Sequence, residues 1–591
     1  MHKLNVIQEK IENLNIDGIV IPMSDPFQND FIPEYYHRIK FISGFTGSLG
    51  TIIILKKAAA LFVDGRYTLQ AQKQVDTRNY EIENYDPQSM MAWVLKNETS
   101  DQIVLGYDAW DYTVAQLNMF QRIAPNINFK PLDRNPIDEI WEDKPNISKT
   151  KIFLHPEKYA GESWKQKIKS VQSILEEQNL DSIFLTSSAS ICWLLNIRGH
   201  DAPFTPVSLC YAIVHKTGKV DLFVYLENLT DEIVKHFHPT VTFHRMSGVE
   251  LTEKLPKLLA NLRVGYTEQQ APMRVKNIIG PNVAALNNME DPCVLLRACK
   301  NKTQLKHIEQ THVEDGVALI KFFCWVDDNY KTESINEYTA AEKINFFRFQ
   351  NKNCIDLSFP TISGTAQNGS IVHYRAGENP LPLKEGDIFL CDSGGQYYGG
   401  TTDVTRTVCI GKNPTAEQKK LFTLVLKGLV VLSCAEFPEG TTGAQLDLLA
   451  RQFLWKEGHD YAHATGHGVG QYANVHEGPQ NISPRATTVA LKEGMVLSNE
   501  PGCYIEGKFG IRIENLMYVT HTGRTDSFSR KILKFNTITF CPIDRSCIDI
   551  ALLTNEEKEW IDAYHNTTWE KLSHLVDART KEWLKKETAP L

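Results

Sequence analysis

Hydrophobic and polar positions alternate in a repeating order over the first half of the chain. Residues 4–14 read as a helix, and Gly18-Ile19-Val20-Ile21-Pro22 follows as a buried strand. A second apolar run is Thr51-Ile52-Ile53-Ile54-Leu55. A third, Ala60-Leu61-Phe62-Val63-Asp64, leads through Gly65-Arg66-Tyr67 into a helix over residues 69–75. This strand–helix alternation predicts an α/β domain. A similar order returns from about residue 163. A helix over residues 164–177 precedes Leu180-Asp181-Ser182-Ile183-Phe184-Leu185, which echoes Ile16-Asp17-Gly18-Ile19-Val20-Ile21. Asn196-Ile197-Arg198-Gly199 echoes Ser43-Gly44-Phe45-Thr46-Gly47, and Val220-Asp221-Leu222-Phe223-Val224 echoes the Leu61 strand. Two related α/β domains in tandem are expected, joined near residues 136–148, where Pro, Asp and Lys cluster. From Asn301 the pattern changes. Leu305, Ile308, His312, Gly316, Leu319 and Phe323 recur at helical spacing and predict one amphipathic helix. The expected organisation is therefore residues 1–145, 146–300 and 301–591.

Composition narrows the function classes. A chain of 591 residues exceeds one hydrophobic core, and 42% hydrophobic with 23% charged residues is an ordinary globular balance. The net charge of −8 lacks the basic surplus of a nucleic-acid binder. Twelve cysteines are scattered with no CxxC pair, which predicts buried free thiols in a reducing compartment. Residues 1–22 hold no uninterrupted apolar core of a signal peptide, and no run is long enough to span a membrane. A cytoplasmic protein with no nucleic-acid or membrane partner is expected.

Candidate chemistry lies entirely between His373 and Glu514. The apolar strand Ile388-Phe389-Leu390-Cys391 ends on Asp392. Glycines at 394, 395, 399 and 400 suggest a hairpin-like return into Thr401-Thr402-Asp403-Val404-Thr405-Arg406-Thr407-Val408, which alternates like a half-buried strand. Such a return could set Asp392 beside Asp403. Two adjacent carboxylates repel unless one is protonated or a cation lies between them. Exposed strand-end acids are the plain alternative. His463-Ala464-Thr465-Gly466-His467-Gly468-Val469-Gly470 sets two histidines among small residues that permit close backbone approach. Met495-Val496-Leu497-Ser498-Asn499 is a strand that ends in Glu500-Pro501-Gly502. Gly510-Ile511-Arg512-Ile513-Glu514-Asn515 reads as another strand, with Arg512 and Glu514 on one face and Arg512 a possible counter-ion for Glu514. Four carboxylates and one imidazole form a ligand set for two divalent cations. The oxygen-rich donors favour manganese, with cobalt or zinc compatible. Neither an HExxH nor a GxSxG motif is present.

At Asp392, Asp403, His467, Glu500 and Glu514 the chain resembles the pita-bread metallopeptidases, whose five metal ligands follow the order Asp, Asp, His, Glu, Glu. Asn368-Gly369-Ser370-Ile371-Val372-His373-Tyr374 and Val475-His476-Glu477-Gly478-Pro479 resemble the family's accessory histidine segments. His463 is similar to a histidine lining a proline pocket, and Tyr504 and Arg512 fall where the family has pocket residues. Gly44-Phe45-Thr46-Gly47-Ser48, Phe62-Val63-Asp64-Gly65-Arg66-Tyr67 and Trp193-Leu194-Leu195-Asn196-Ile197-Arg198-Gly199 look like the two N-terminal domains of the three-domain, cytosolic type of aminopeptidase P. The resemblance covers nearly the whole chain. It implies an α/β (α+β) architecture of two creatinase-type domains before a pita-bread catalytic domain. It also implies a homodimer that removes the first residue from peptides with proline second.

On that resemblance, a metal-bridging hydroxide attacks the Xaa–Pro carbonyl. Asp403 and Glu514 bridge the metals, Asp392 holds one, and His467 with Glu500 holds the other. Glu500 also shuttles the proton, while His373 and His476 stabilise the oxyanion and position substrate. The rival readings are a prolidase-type dipeptidase and a metal-free peptide-binding pseudo-enzyme. The C-terminal run 568–591 is expected to be an exposed or docking helix without catalytic part.

Overall fold

Six strands run beside one another in the order Glu81–Asn84, Ala59–Val63, Thr51–Leu55, Gly18–Pro22, Ile103–Asp108, Ile127–Leu132. A second six-stranded sheet has the order Val241–Arg245, Val220–Val224, Cys210–His215, Ser182–Leu185, Arg263–Tyr266, Ala285–Asn288. The two share a topology. In each, the central strand pairs antiparallel on one side and parallel on the other, and both outer pairs are parallel. The faint echo in the sequence is thus a repeat of topology, carried by the spacing of apolar runs rather than by identity. The computed structural model describes residues 3–100, 102–147, 149–332, 334–377, 379–485 and 488–591. Both sheets belong to one compact unit, Met1–Pro156 with Glu162–Val294; the other unit is Glu157–Gly161 with Leu295–Leu591.

The second unit opens with the expected long helix, Lys302–Asn329, started by a reciprocal cap in which Asn301 and Gln304 bond each other's backbone. It lies against the helix Glu337–Phe349 and beside a sheet of Ile362–Thr365, Ile388–Ser393 and Val404–Cys409. Helices Ala416–Ser433 and Gly443–Trp455 pack against each other, and a second sheet orders Glu436–Pro438, Lys531–Thr537, Asn515–Thr525 and Val496–Asn499. Phe322 and Phe323 sit in the core, as their apolar run implies. Ile388, Phe389 and Leu390 are all buried, each contributing about 1.5–3 kcal/mol over exposure. The C-terminal run docks. Trp583 and Leu584 of helix Ala578–Glu587 enter the core, and the Trp583 indole donates to Asp327 at 2.7 Å.

A buried ion pair ties the helices of this unit to the end of a strand. Arg348 forks onto Asp315 at 2.7 and 3.1 Å, and its second terminal nitrogen also donates to the Ser393 carbonyl at 3.2 Å. Neither side chain is more than 3% exposed. Arg348→Met leaves the Asp315 carboxylate buried without its counter-ion. It is expected to lower unfolding free energy by about 3–5 kcal/mol, seen as an earlier urea midpoint in tryptophan fluorescence. An unchanged midpoint would contradict this role for the pair.

Candidate metal centre

Two antiparallel strand pairs deliver the four acids. In the first pair, Asp392 lies opposite Thr405 and Ser393 opposite Val404. Asp403, two residues before Thr405, therefore shares the face of Asp392 and stands diagonally across from it. The chain between them closes tightly. A Cβ on Gly394 would lie 1.9 Å from the Thr402 carbonyl oxygen, so only glycine permits this approach. In the second pair, Asn499 lies opposite Asn515. Glu500 and Glu514 are the next residues outward, so they face each other at the frayed end. Glu514 N–H donates to the Thr405 carbonyl at 3.1 Å, and the Thr405 hydroxyl donates to Glu514 Oε2 at 2.9 Å. Those two bonds join the strand pairs.

The imidazole comes from the glycine-rich segment. Gly466 lies so close to the Ser498 carbonyl that a Cβ would fall 2.0 Å from its oxygen. His467 N–H donates to Ser498 Oγ at 2.9 Å, Ser498 Oγ donates to Glu500 Oε1 at 3.0 Å, and Glu500 N–H donates to the Thr465 carbonyl at 2.7 Å. Nδ1 of His467 donates to the Gly468 carbonyl at 3.0 Å, which leaves Nε2 as the inward-facing ligand atom. That Nε2 lies 3.4 Å from both Asp403 Oδ2 and Glu500 Oε1. Ligand atoms of Asp403, His467 and Glu514 all fall within 4.8 Å of one another.

This convergence is electrostatically costly. Burial, followed by the charges of Asp403 and its neighbours, pushes the Glu514 carboxyl well above its ordinary range. Burial likewise raises Glu500 to about 7 and raises Asp392, with nearby acids adding to both shifts. Burial works against the His467 cation, yet Asp403 and Glu500 beside it hold it up at about 9. Asp392 Oδ1 is buried with no hydrogen-bond partner among the described residues. An orphaned carboxylate oxygen, mutually repelling acids and an imidazole nitrogen turned inward fit a divalent-cation cage of oxygen and nitrogen donors.

Beside the cage runs a continuous hydrogen-bond chain. Arg512, 2% exposed, donates to Asp392 Oδ2 at 2.7 Å, to the Tyr504 hydroxyl at 2.7 Å and to Thr405 Oγ1 at 3.1 Å. His463 Nδ1 donates to the Ala464 carbonyl, so its Nε2 accepts from the Tyr504 hydroxyl at 2.8 Å. Burial lifts the Tyr504 phenol to about 12, keeping it a donor. The plain alternative, with Arg512 as the direct counter-ion of Glu514, is not what its hydrogen bonds show. The strand stops at Arg512 and the next begins at Asn515. The alternation that would align 512 with 514 is broken, and Arg512 turns to Asp392. The His476 ring meets the His467 ring edge-on at 4.4 Å. His373 follows Val372, whose carbonyl accepts a long 3.5 Å bond from Arg512.

Sequence reading missed the supports. Arg451 donates to Asp447 at 2.7 Å, to the Tyr461 carbonyl at 2.7 Å and to the His463 carbonyl at 2.8 Å. Asp447 in turn accepts from Thr465 Oγ1 at 2.6 Å. A buried guanidinium thus clamps the loop that carries both histidines. The only signal in the sequence was an Asp–Arg pair four residues apart on a largely apolar helix.

Residues 306–521 match metallopeptidase family M24, residues 3–140 and 143–304 each match a creatinase/prolidase N-terminal domain, and residues 531–591 match the C-terminal region of peptidase M24. A probable Xaa-Pro aminopeptidase P of Laccaria bicolor is 37% identical over 607 residues, covering 100% of this chain and 93% of the relative. One from Paracoccidioides brasiliensis is 36% identical over 613 residues, covering 100% and 99%. The crystal structure of an X-prolyl aminopeptidase from Caenorhabditis elegans, described as a cytosolic enzyme with a di-nuclear active site, is 30% identical, with a TM-score of 0.93 over 100% of this chain and 98% of that one. An Xaa-Pro dipeptidase from Bacillus anthracis, 21% identical with a TM-score of 0.52, covers 65% of this chain and 99% of its own, a likeness of fold alone. The chain belongs to the Xaa-Pro aminopeptidase P family of the M24 metallopeptidases.

Proposed function

We propose that this protein is a metal-dependent aminopeptidase that hydrolyses the Xaa–Pro bond and releases the first residue of peptides with proline second. The observation that carries it is the gathering of Asp403, His467 and Glu514, with Glu500 against His467 and Asp392 diagonally across from Asp403, next to the His463–Tyr504–Arg512 chain, in a protein that matches aminopeptidases P from end to end. Asp392, Asp403, His467, Glu500 and Glu514 would hold two divalent ions. When bound, such a pair polarises the scissile carbonyl and supplies the hydroxide nucleophile at neutral pH.

The chain's own residues do the rest. Glu500, fixed by Ser498 and by the Thr465 carbonyl, takes the proton from the attacking water and passes it to the departing proline nitrogen. Without that proton the nitrogen would have to depart as a strongly basic amide anion, so the delivered proton is needed to release it. His373 and His476 position the substrate and stabilise the oxyanion. His463 and Tyr504 line the proline pocket, and Arg512 couples that pocket to Asp392. We take manganese as the native metal from the oxygen-rich donors, with zinc and cobalt as substitutes. A cytoplasmic homodimer is the accompanying reading. The cytosolic description of the C. elegans enzyme supports its location. The three-domain division at residues 145/146 and 300/301 is supported by the paired six-stranded sheets and the separate family matches.

Mass spectrometry of Arg-Pro-Pro-Gly incubated with the protein and manganese should show free arginine and Pro-Pro-Gly. Cleavage of Arg-Pro dipeptide alone would make it a prolidase instead. Exhaustive chelation should abolish turnover and manganese should restore it. Asp403→Ala should lose bound metal and turnover together, measured by elemental analysis and product release, and full metal content with full turnover would contradict its role. His476→Ala should keep metal yet lower kcat by about 10²–10³. Arg451→Lys replaces a planar fork with a point charge that cannot serve Asp447 and two carbonyls together. It should raise KM about tenfold, the worth of one good hydrogen bond, with the metal content of the parent.

A further inference from the structure

Between strands Ile362–Thr365 and Ile388–Ser393 the chain makes a short turn, Ala366–Ser370, and then passes through His373 outside any helix or strand. A side chain on such a connection keeps its place only where a rigid scaffold ties the loop down. One face of this loop is set by close packing. A Cβ on Gly510 would fall 1.8 Å from the Gly369 carbonyl oxygen, so the turn lies flush on the strand that carries Arg512.

The other tie is Glu337, the first residue of helix Glu337–Phe349 and 0% exposed. Its Oε1 accepts from Thr365 N–H at 2.9 Å and from Asn368 Nδ2 at 3.1 Å. Its Oε2 accepts from the Tyr374 hydroxyl at 2.7 Å, Leu381 N–H at 2.8 Å and Asn368 Nδ2 at 3.1 Å. Its own N–H donates to the Leu381 carbonyl at 3.1 Å. The points held are the foot of the loop, its turn, the neighbour of His373 and the returning limb. Among the described residues no lysine or arginine shares the carboxyl group, and the helix N-terminus it stands on favours negative charge. Burial, followed by Glu337 itself, drives the Tyr374 phenol upward and keeps it a donor. The far end of the same helix is fixed by Arg348 on Asp315 and on the Ser393 carbonyl. The clamp therefore stands on a rigid support.

We propose that Glu337 is a positioning residue for the peptidase reaction, acting through the loop that presents His373. The inference rests on the role given to His373 above. Glu337→Gln keeps the shape but exchanges one acceptor for an amino group. Whichever way the amide turns, that group meets Thr365 N–H or Leu381 N–H, donor against donor.

Trypsin cleavage after the exposed Arg375, followed by mass spectrometry, reads the loop whatever the chain hydrolyses. It should run about tenfold faster in Glu337→Gln, the worth of one hydrogen bond to a charged group. Tyr374→Phe removes one bond from a half-buried phenol and should shift it about threefold in the same direction. On Arg-Pro-Pro-Gly with manganese, Glu337→Gln should keep its metal and lower kcat about tenfold with little change in KM. Combined with His373→Ala it should cost nothing further, because the loop then has no imidazole to place. Unchanged cleavage at Arg375 in both variants overturns the proposal. So do full losses that multiply in the double variant, which would make Glu337 a support of the fold at large. A parent that frees no arginine sinks the functional reading instead, and the trypsin result then decides alone whether Glu337 holds the loop.

Discussion

The repulsion among four carboxylates in one low-dielectric recess governs the second unit. Asp392, Asp403 and Glu514 are each at most 8% exposed, and the acids whose ionisation is perturbed are all driven toward protonation. The protein supplies two positive groups to oppose them, Arg512 and His467, and Arg512 is already committed to Asp392. Such a recess is relieved either by protons on its acids or by a cation among them. The hydroxyls of Thr405 and Ser498 orient Glu514 and Glu500 toward it, an arrangement that fits divalent ions from solution.

The geometry that brings the acids together is simple. Each antiparallel pair contributes two carboxylates at or beyond its end, and register alone determines which side chains meet. Glycine is needed where backbones cross. At positions 394 and 466 the neighbouring carbonyl occupies the space a side chain would take. Arg406, fully buried, donates to the Glu514 carbonyl and to Asn515, fastening one strand pair to the other. Distances around His467 Nε2 therefore depend on backbone hydrogen bonding more than on flexible side chains.

Much of this was legible in the residues. The apolar run ending on Asp392, the glycines after it and the alternation around Asp403 foretold a hairpin-like return, and the structure has one, elaborated by the short strands Gly395–Tyr397 and Gly400–Thr401. The tandem domains were legible because spacing of apolar runs survives when identities do not. The alternative pairing of Arg512 with Glu514 rested on an unbroken strand, and the chain leaves one sheet for another at residues 513 and 514. The clamp by Arg451 was invisible for a different reason. It acts on backbone carbonyls, and a carbonyl carries no residue identity for a pattern to show.

The two strand pairs lie about a hundred residues apart in the chain, and the last of the four acids, Glu514, enters beyond both helices that separate them. During synthesis, a nascent polypeptide that has emerged past Asp403 carries acids with no cage around them. The recess can therefore form only after translation has passed the second pair and the two pairs have met.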